Sequence, residues 1–315
     1  MITRNFTWAD LPALTEFISL VRRAEGDERT VSTSSLREYL ARPGLAPEEN
    51  CSFFVSDEAE LRAFFILHPE LRIGRTVLEL GIHPSYTETG IARQVIRSAL
   101  DRAKRLGARV LHICLSPSEF WRVLLEEEGF SRVRVYWAMQ WHEAATPRVA
   151  LPQGFAIESF RPGDEERLTQ VQNASFGGSW GFCPNTVEEV RYGASMSICP
   201  PEGILFLTDR TANGDVTAGY CWTCVLPGAG TRSLAPSPDS GESSIGVIGM
   251  IGITPPYRGR GLSAPILLAG MEYLHSRGVK YIRLDVDGGN TPAIKLYTSV
   301  GFKNAQDLHW FEARL

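Results

Sequence analysis

The sequence predicts an α/β (α+β) protein built from two tandem domains. Three observations carry that prediction: the length, an internal repeat, and strands followed by helices at the start of each copy and around a glycine-rich loop in the second. The chain has 315 residues, more than one ordinary domain of about 100–200 residues and fewer than three. Hydrophobic residues make up 43% and charged residues 22%. That is the composition of a globular chain with enough apolar material for two cores. It excludes a disordered chain, a collagen and a small disulfide scaffold.

The repeat sets the domain organisation. Phe6, Asp10 and Leu14 in Ile2–Phe17 match Phe160, Asp164 and Leu168 at a constant offset of 154. Each stretch reads as a strand followed by a helix, with the aspartate as its N-cap or first-turn acid. Further on, Leu80–Ala92 aligns with Ile251–Ser263 at an offset of 171 through Gly81/Gly252, Ile82/Ile253, Pro84/Pro255, Tyr86/Tyr257 and Gly90/Gly261. Gly129-Phe130 against Gly301-Phe302 closes the repeat. The change of offset marks an insertion in the second copy, and the turn-rich stretch Pro227–Glu242 fits it. The Ala- and Pro-rich stretch Glu143–Gln153 reads as the linker. The expected domains are 1–143 and 150–315.

Charge and cysteine content narrow the function classes. The net charge is −4, from 32 basic and 36 acidic residues. Residues 1–150 hold 19 basic and 20 acidic residues, leaving 13 and 16 for the second half. Neither half has the basic excess of a nucleic-acid binder. Among the six cysteines only Cys221 and Cys224 form a C-x-x-C. They fall in an apparent strand, where positions three apart face opposite sides, so no metal site is expected. No apolar run approaches the roughly 18 residues that span a bilayer. Asp10 and Glu16 interrupt the N-terminus where a signal peptide needs an apolar core. A cytoplasmic protein with free thiols and no membrane partner is expected.

The second copy carries an anion-binding loop. Ser244–Ile253 is apolar and β-branched and reads as a buried strand whose glycines mark a close approach of ligand or backbone. Pro255 and Pro256 end it. Tyr257-Arg258-Gly259-Arg260-Gly261 follows, and then Ser263–Arg277 with helical periodicity. Pro265 sits in the first turn, where its missing N–H costs nothing, and Gly278 closes the helix. Unpaired N–H groups at a helix start favour phosphate. Arg258 and Arg260 are candidates for additional phosphate contacts. G-x-x-x-x-G-K-[ST] is absent, which excludes a P-loop. G-x-G-x-x-G is incomplete, and Asp285 keeps the dinucleotide alternative alive only weakly.

These residues resemble the GNAT superfamily of acyl-CoA-dependent N-acyltransferases. The family pattern R-x-x-G-x-G/A stands here as Arg258-Gly259-Arg260-Gly261-Leu262-Ser263, with Ser263 departing from Gly/Ala. The following N-x-x-A-x-x-x-Y-x-x-x-G-F stands as Asn290, Ala293, Tyr297, Gly301 and Phe302. The resemblance covers nearly all of 155–315. A duplication with a degenerate first copy resembles the tandem architecture of the mycothiol synthase family. It implies two tandem GNAT folds, each a mixed, mostly antiparallel sheet flanked by helices. Strands four and five of each sheet part, and acetyl-CoA enters between them as cosubstrate. In the first copy Thr87-Glu88-Thr89-Gly90 replaces the basic loop, Ser118 stands at the asparagine position and Leu125 at the tyrosine position. That copy is expected to be non-catalytic.

The resemblance also implies roles. The Ile251 N–H would polarise the acetyl carbonyl, and the backbone of Ile251, Gly252 and Ile253 would clasp the pantetheine. Arg258, Gly259, Arg260, Gly261, Leu262 and Ser263 would hold the pyrophosphate. Asn290 would cap its helix or bond the pantetheine, and Tyr297 would protonate the departing thiolate. Many family members carry a glutamate base on strand four, where this chain has Val247. Glu242, Asp285, Asp287, Glu312 or a water relay remain as alternatives. Trp180 and Phe182, in the glycine-rich stretch Phe176–Pro184, are expected to line the acceptor pocket with Tyr220 and Trp222. The acceptor would be a primary amine of a small molecule or peptide. An acyl-CoA-binding regulatory module without turnover is the alternative, because the strand-four glutamate is missing.

Overall fold

A computed structural model describes residues 2–26, 31–87, 90–211, 214–227 and 244–315. The chain forms two compact units, Met1–Trp137 together with Gln306–Leu315, and Ala138–Ala305. In chain order the first copy runs β1 (Ile2–Asn5), α1 (Leu11–Ala24), α2 (Thr33–Leu40), α3 (Pro47–Asn50), β2 (Cys51–Val55), β3 (Leu61–Glu70), β4 (Arg75–Ile82), α4 (Ile91–Arg105), β5 (Val110–Leu115), α5 (Glu119–Glu127) and β6 (Ser131–Trp141). The second runs β7 (Phe155–Ser159), α6 (Glu165–Phe176), α7 (Val187–Ser195), β8 (Ile204–Asp209), β9 (Val216–Leu226), β10 (Ile245–Ile253), α8 (Ser263–Ser276), β11 (Tyr281–Asp287), α9 (Thr291–Ser299) and β12 (Lys303–Arg314). The expected insertion beyond Pro227, with Glu242, and the expected Glu88 lie outside the described residues.

Within each unit the strands form a mixed, mostly antiparallel stretch of sheet. In the first unit the order is β1-β2-β3-β4-β5 and then β12, and only β4 and β5 pair in parallel. In the second unit β7-β8-β9-β10-β11 follows the same plan, with β10 and β11 parallel. Local sequence explains the repeated start. Asp10 and Asp164 stand immediately before α1 and α6, and instead of capping them their carboxylates accept from the N–H three residues back, of Thr7 at 2.8 Å and Arg161 at 2.9 Å; Leu14 and Leu168 are fully buried one turn later. Phe6 and Phe160 close the same cores from the preceding loops.

The compact units do not follow the 1–143 and 150–315 division. The last strand runs antiparallel to β5 from His309↔Leu115 to Arg314↔Val110. Its alternate residues Phe311 and Ala313 are buried in the first unit's core with Ile113, Val95 and Ile96. The end of β6, Ala138–Trp141, belongs to the second unit. There the Trp141 indole N–H donates to the Val300 carbonyl at 3.0 Å. Gly301, at φ 102°, leaves room for that ring, because a Cβ would lie 3.2 Å from the indole nitrogen. The alternation that buries one face of a strand does not name the sheet it joins.

Candidate active site

In the second unit β10 and β11 pair at only three positions, Ile245↔Tyr281, Gly246↔Ile282 and Val247↔Arg283. From Ile248 onward β10 keeps only its partner β9. The register with β9 shifts between Ile248 and Met250, so Gly249 forms a bulge. A bulge bends and twists its strand and disrupts the ladder locally. Gly249 is exposed and Met250, Ile251 and Gly252 are half-buried, between buried Ile248 and Ile253. The strands therefore part and leave accessible main chain where an interior strand would be covered. The first unit parts after Leu78↔Ile113, and its β3–β4 pairing runs without a register shift.

The gap opens beside the start of α8. Gly259 and Gly261 adopt φ of 75° and 73°, with open space around each Cβ position. This left-handed backbone is the reason for glycine there. Among the described residues, the N–H groups of Gly259, Arg260 and Gly261 donate to no protein acceptor. Leu262 is the N-cap, with no side-chain capping bond, and its side chain is buried. Ser263 begins the helix. Curled backbone donors at a helix start fit the pyrophosphate of a CoA thioester.

The two arginines differ in use. Arg258 Nε donates to the Ile253 carbonyl at 3.1 Å, and a terminal guanidinium nitrogen donates to the Ser175 carbonyl at 2.8 Å. It braces the loop against β10 and α6, a role the motif did not disclose. Arg260 is exposed and lies 4.9 Å from the Tyr257 ring centroid, while the Tyr257 hydroxyl donates to Asp209 at 3.0 Å.

Tyr297 is 8% exposed and packs against Phe302, with ring centroids 6.0 Å apart. Burial, with Cys221 nearby, pushes its phenol above its ordinary value. The ring is held by the core, and the proton stays on the oxygen at neutral pH. Asn290 caps α9, its side chain accepting from Ala293 N–H at 3.3 Å. In the first unit Ser118 keeps that capping task and Leu125 is fully buried where Tyr297 stands in the second.

The carboxylates are placed less favourably. Asp285 is exposed and bonds Arg283 of its own strand at 3.1 Å. Asp287 accepts from Gly289 N–H at 2.9 Å. Glu312 lies in the first unit and bonds His112 at 2.8 Å. Glu242 lies outside the described residues.

On the opposite face of β10, α6 and the loop after it form a wall. Phe182 stacks on Phe176 with centroids 5.5 Å apart, and Trp180 is half-buried. Tyr220 and Trp222 do share a face, as expected, but that face is core: Tyr220 is fully buried and Trp222 is 9% exposed, packed with Phe160, Leu168 and Val171. The Gly249 bulge and the contacts of Ser175 escaped the sequence reading. The one available signal was the density of glycine in β10.

Residues 15–120 and 166–302 match the acetyltransferase (GNAT) family. The chain belongs to that family. It is 31% identical over 303 residues to the mycothiol acetyltransferase of Stackebrandtia nassauensis, covering 92% of each chain. Among solved structures it resembles a GCN5-related N-acetyltransferase from Sphaerobacter thermophilus at a TM-score of 0.75 and 22% identity, covering 99% of this chain and 95% of that one. A tandem GNAT protein from the clavulanic acid biosynthesis pathway gives a TM-score of 0.72 at 16% identity, with 99% and 98% covered. The chain is a tandem GNAT N-acetyltransferase that transfers an acetyl group from acetyl-CoA. Among the described residues no helix is long and apolar enough to cross a membrane.

Proposed function

We propose that the second unit carries the one working site and acetylates a primary amine on a small molecule. The parting of β10 and β11 beside the start of α8 is the observation that carries this reading. The backbone donors of 259–263 hold the pyrophosphate, and Arg258 keeps that loop in place rather than meeting the phosphate. The exposed edge of Gly249–Ile253 takes the pantetheine, and the Ile251 N–H meets the carbonyl oxygen as charge develops there. The amine attacks directly, held beside the thioester by the wall of α6. Tyr297 supports the departing thiolate: a phenol kept protonated by burial donates its hydrogen bond as negative charge collects on sulfur.

The mycothiol acetyltransferase relative makes a small amine of the mycothiol type the first acceptor to try. Loss of the acetyl-CoA thioester, followed by its absorbance, should be fastest with deacetylated mycothiol, against lysine peptides and simple amines. Calorimetry should find one acetyl-CoA site per chain, since the first unit's β4 has no bulge, Gly90 sits at φ −62° where Gly261 is left-handed, and the sequence puts Glu88 where the pyrophosphate would lie. Two equivalent sites, or thioester loss that no amine accelerates, would overturn the reading.

A further inference from the structure

We infer that Asn173 and Gln172 are positioning residues that fix the acceptor-side loop to the acyl-transfer strand, and so set affinity for the amine rather than for acetyl-CoA. The inference rests on the reading of the second unit as the transferase site. Asn173 lies in the last turn of α6. Its amide nitrogen donates to the Asn185 carbonyl, and its amide oxygen accepts from the Asn185 N–H, each at 2.9 Å. One side chain thereby satisfies both main-chain groups of a residue twelve positions on and closes the loop between them. The Asn185 side chain donates to Gln172 Oε1 at 3.0 Å. Gln172 Nε2 in turn contacts Met250 Sδ.

Met250 sits between the bulged Gly249 and Ile251. A chain of contacts thus runs from the loop bearing Trp180 and Phe182, through two adjacent side chains, to the strand that offers the N–H for acyl transfer. Gln172 is 3% exposed, on a helix that also buries Leu168 and Val171 against the sheet. An apolar side chain there would seal the helix without cost. A buried amide is tolerated only when its polar atoms are engaged. Here they are engaged across the helix, toward the loop and the strand. The same helix end packs on Gly252, where a Cβ would lie 2.5 Å from Ser175 Cβ, so α6 has little freedom against β10. With the helix held, the Asn173–Asn185 pair decides where the loop rests, and a loop that is in place only part of the time weakens amine binding by that fraction.

The test uses the full chain, with acetyl-CoA and deacetylated mycothiol varied independently while loss of the thioester absorbance is followed. Asn173→Ala should raise the amine KM at least about tenfold, the size expected from losing two hydrogen bonds. The acetyl-CoA KM and the slow hydrolysis without amine should stay within about twofold. Gln172→Met removes the amide at similar volume and should move the amine KM in the same direction, so it decides the question if Asn173→Ala does not fold. An unchanged amine KM in variants of an active wild type, or an equal rise in both KM values, would overturn the inference alone. A wild type that turns over no amine would overturn the transferase reading, and this inference with it.

Discussion

Tyr297 shows how much one side chain takes from its surroundings. Burial raises its phenol, so the hydroxyl remains protonated through the neutral range. The sign follows: the folded state favours the protonated form, any stabilisation holds below the unfolded value near pH 10, and it is lost only as the pH rises past that. Tyr297→Phe should lower kcat by about a hundredfold, with acetyl-CoA affinity within about twofold, because the hydroxyl acts when sulfur becomes negative. Pre-steady-state thioester loss together with calorimetry checks both halves. Wild-type turnover in the variant would assign Tyr297 to packing alone. Asp10 gives the opposite sign of linkage. Hydrogen bonds from Arg4, at 2.7 and 2.8 Å, and from Thr7 outweigh its burial and lower its carboxyl to about 2. That stabilisation is present above the unfolded value near pH 4 and disappears as the pH falls toward 2. The Tm difference between wild type and Asp10→Asn should therefore narrow between pH 5 and pH 3, as thermal melts would show.

At the scale of elements, the site is made by a strand that stops pairing and a loop that turns left-handed. β10 supplies the accessible edge because β11 leaves it after Val247 and Gly249 interrupts its ladder with β9. The α8 loop supplies the donors because Gly259 and Gly261 hold positive φ. A Cβ at Gly261 meets no atom within 4 Å, so Gly261→Val is penalised by backbone conformation rather than by a clash. Expected strain is about 1–3 kcal/mol, relieved by a shift of the loop. Acetyl-CoA should then bind at least about tenfold more weakly, with a small change in Tm. Unaltered affinity by calorimetry would remove this loop from the cofactor site. The R-x-x-G-x-G/A spacing made the loop and helix legible in advance, because cap and glycine chemistry act within a few residues. The bulge was not legible in the same way, since a glycine-rich apolar strand is compatible with several registers.

At the scale of the whole molecule, the compact units do not coincide with the sequence copies. The second unit begins at Ala138 and ends at Ala305, and Gln306–Leu315 completes the first. A chain of residues 150–315 would lack Trp141, whose indole is buried and bonded to Val300, and would carry β12 without β5. It would expose apolar surface and an open strand edge together. That fragment should be recovered aggregated or without a cooperative melt, by size-exclusion chromatography and circular dichroism. A fragment of 138–305 should be the more soluble of the two. A monomeric, fully active 150–315 would contradict the assignment of the last strand.

What the sequence determined by itself is local and repeated. The offsets between Phe6 and Phe160 or Gly90 and Gly261, the helix starts beside Asp10 and Asp164, the cap at Asn290, and the loop from Arg258 to Ser263 could all be read, because each element depends on neighbours within a turn or two. From them followed two domains, the family and a single intact copy of its motifs. Tertiary structure alone decided that Arg258 spends its guanidinium on the carbonyls of Ile253 and Ser175, that Tyr220 lies in the core, and that Glu312 belongs to the first unit. Each of these depends on contacts between segments far apart in the chain. Two related copies end in strands with similar alternation, and that alternation specifies a buried face without specifying which sheet receives it.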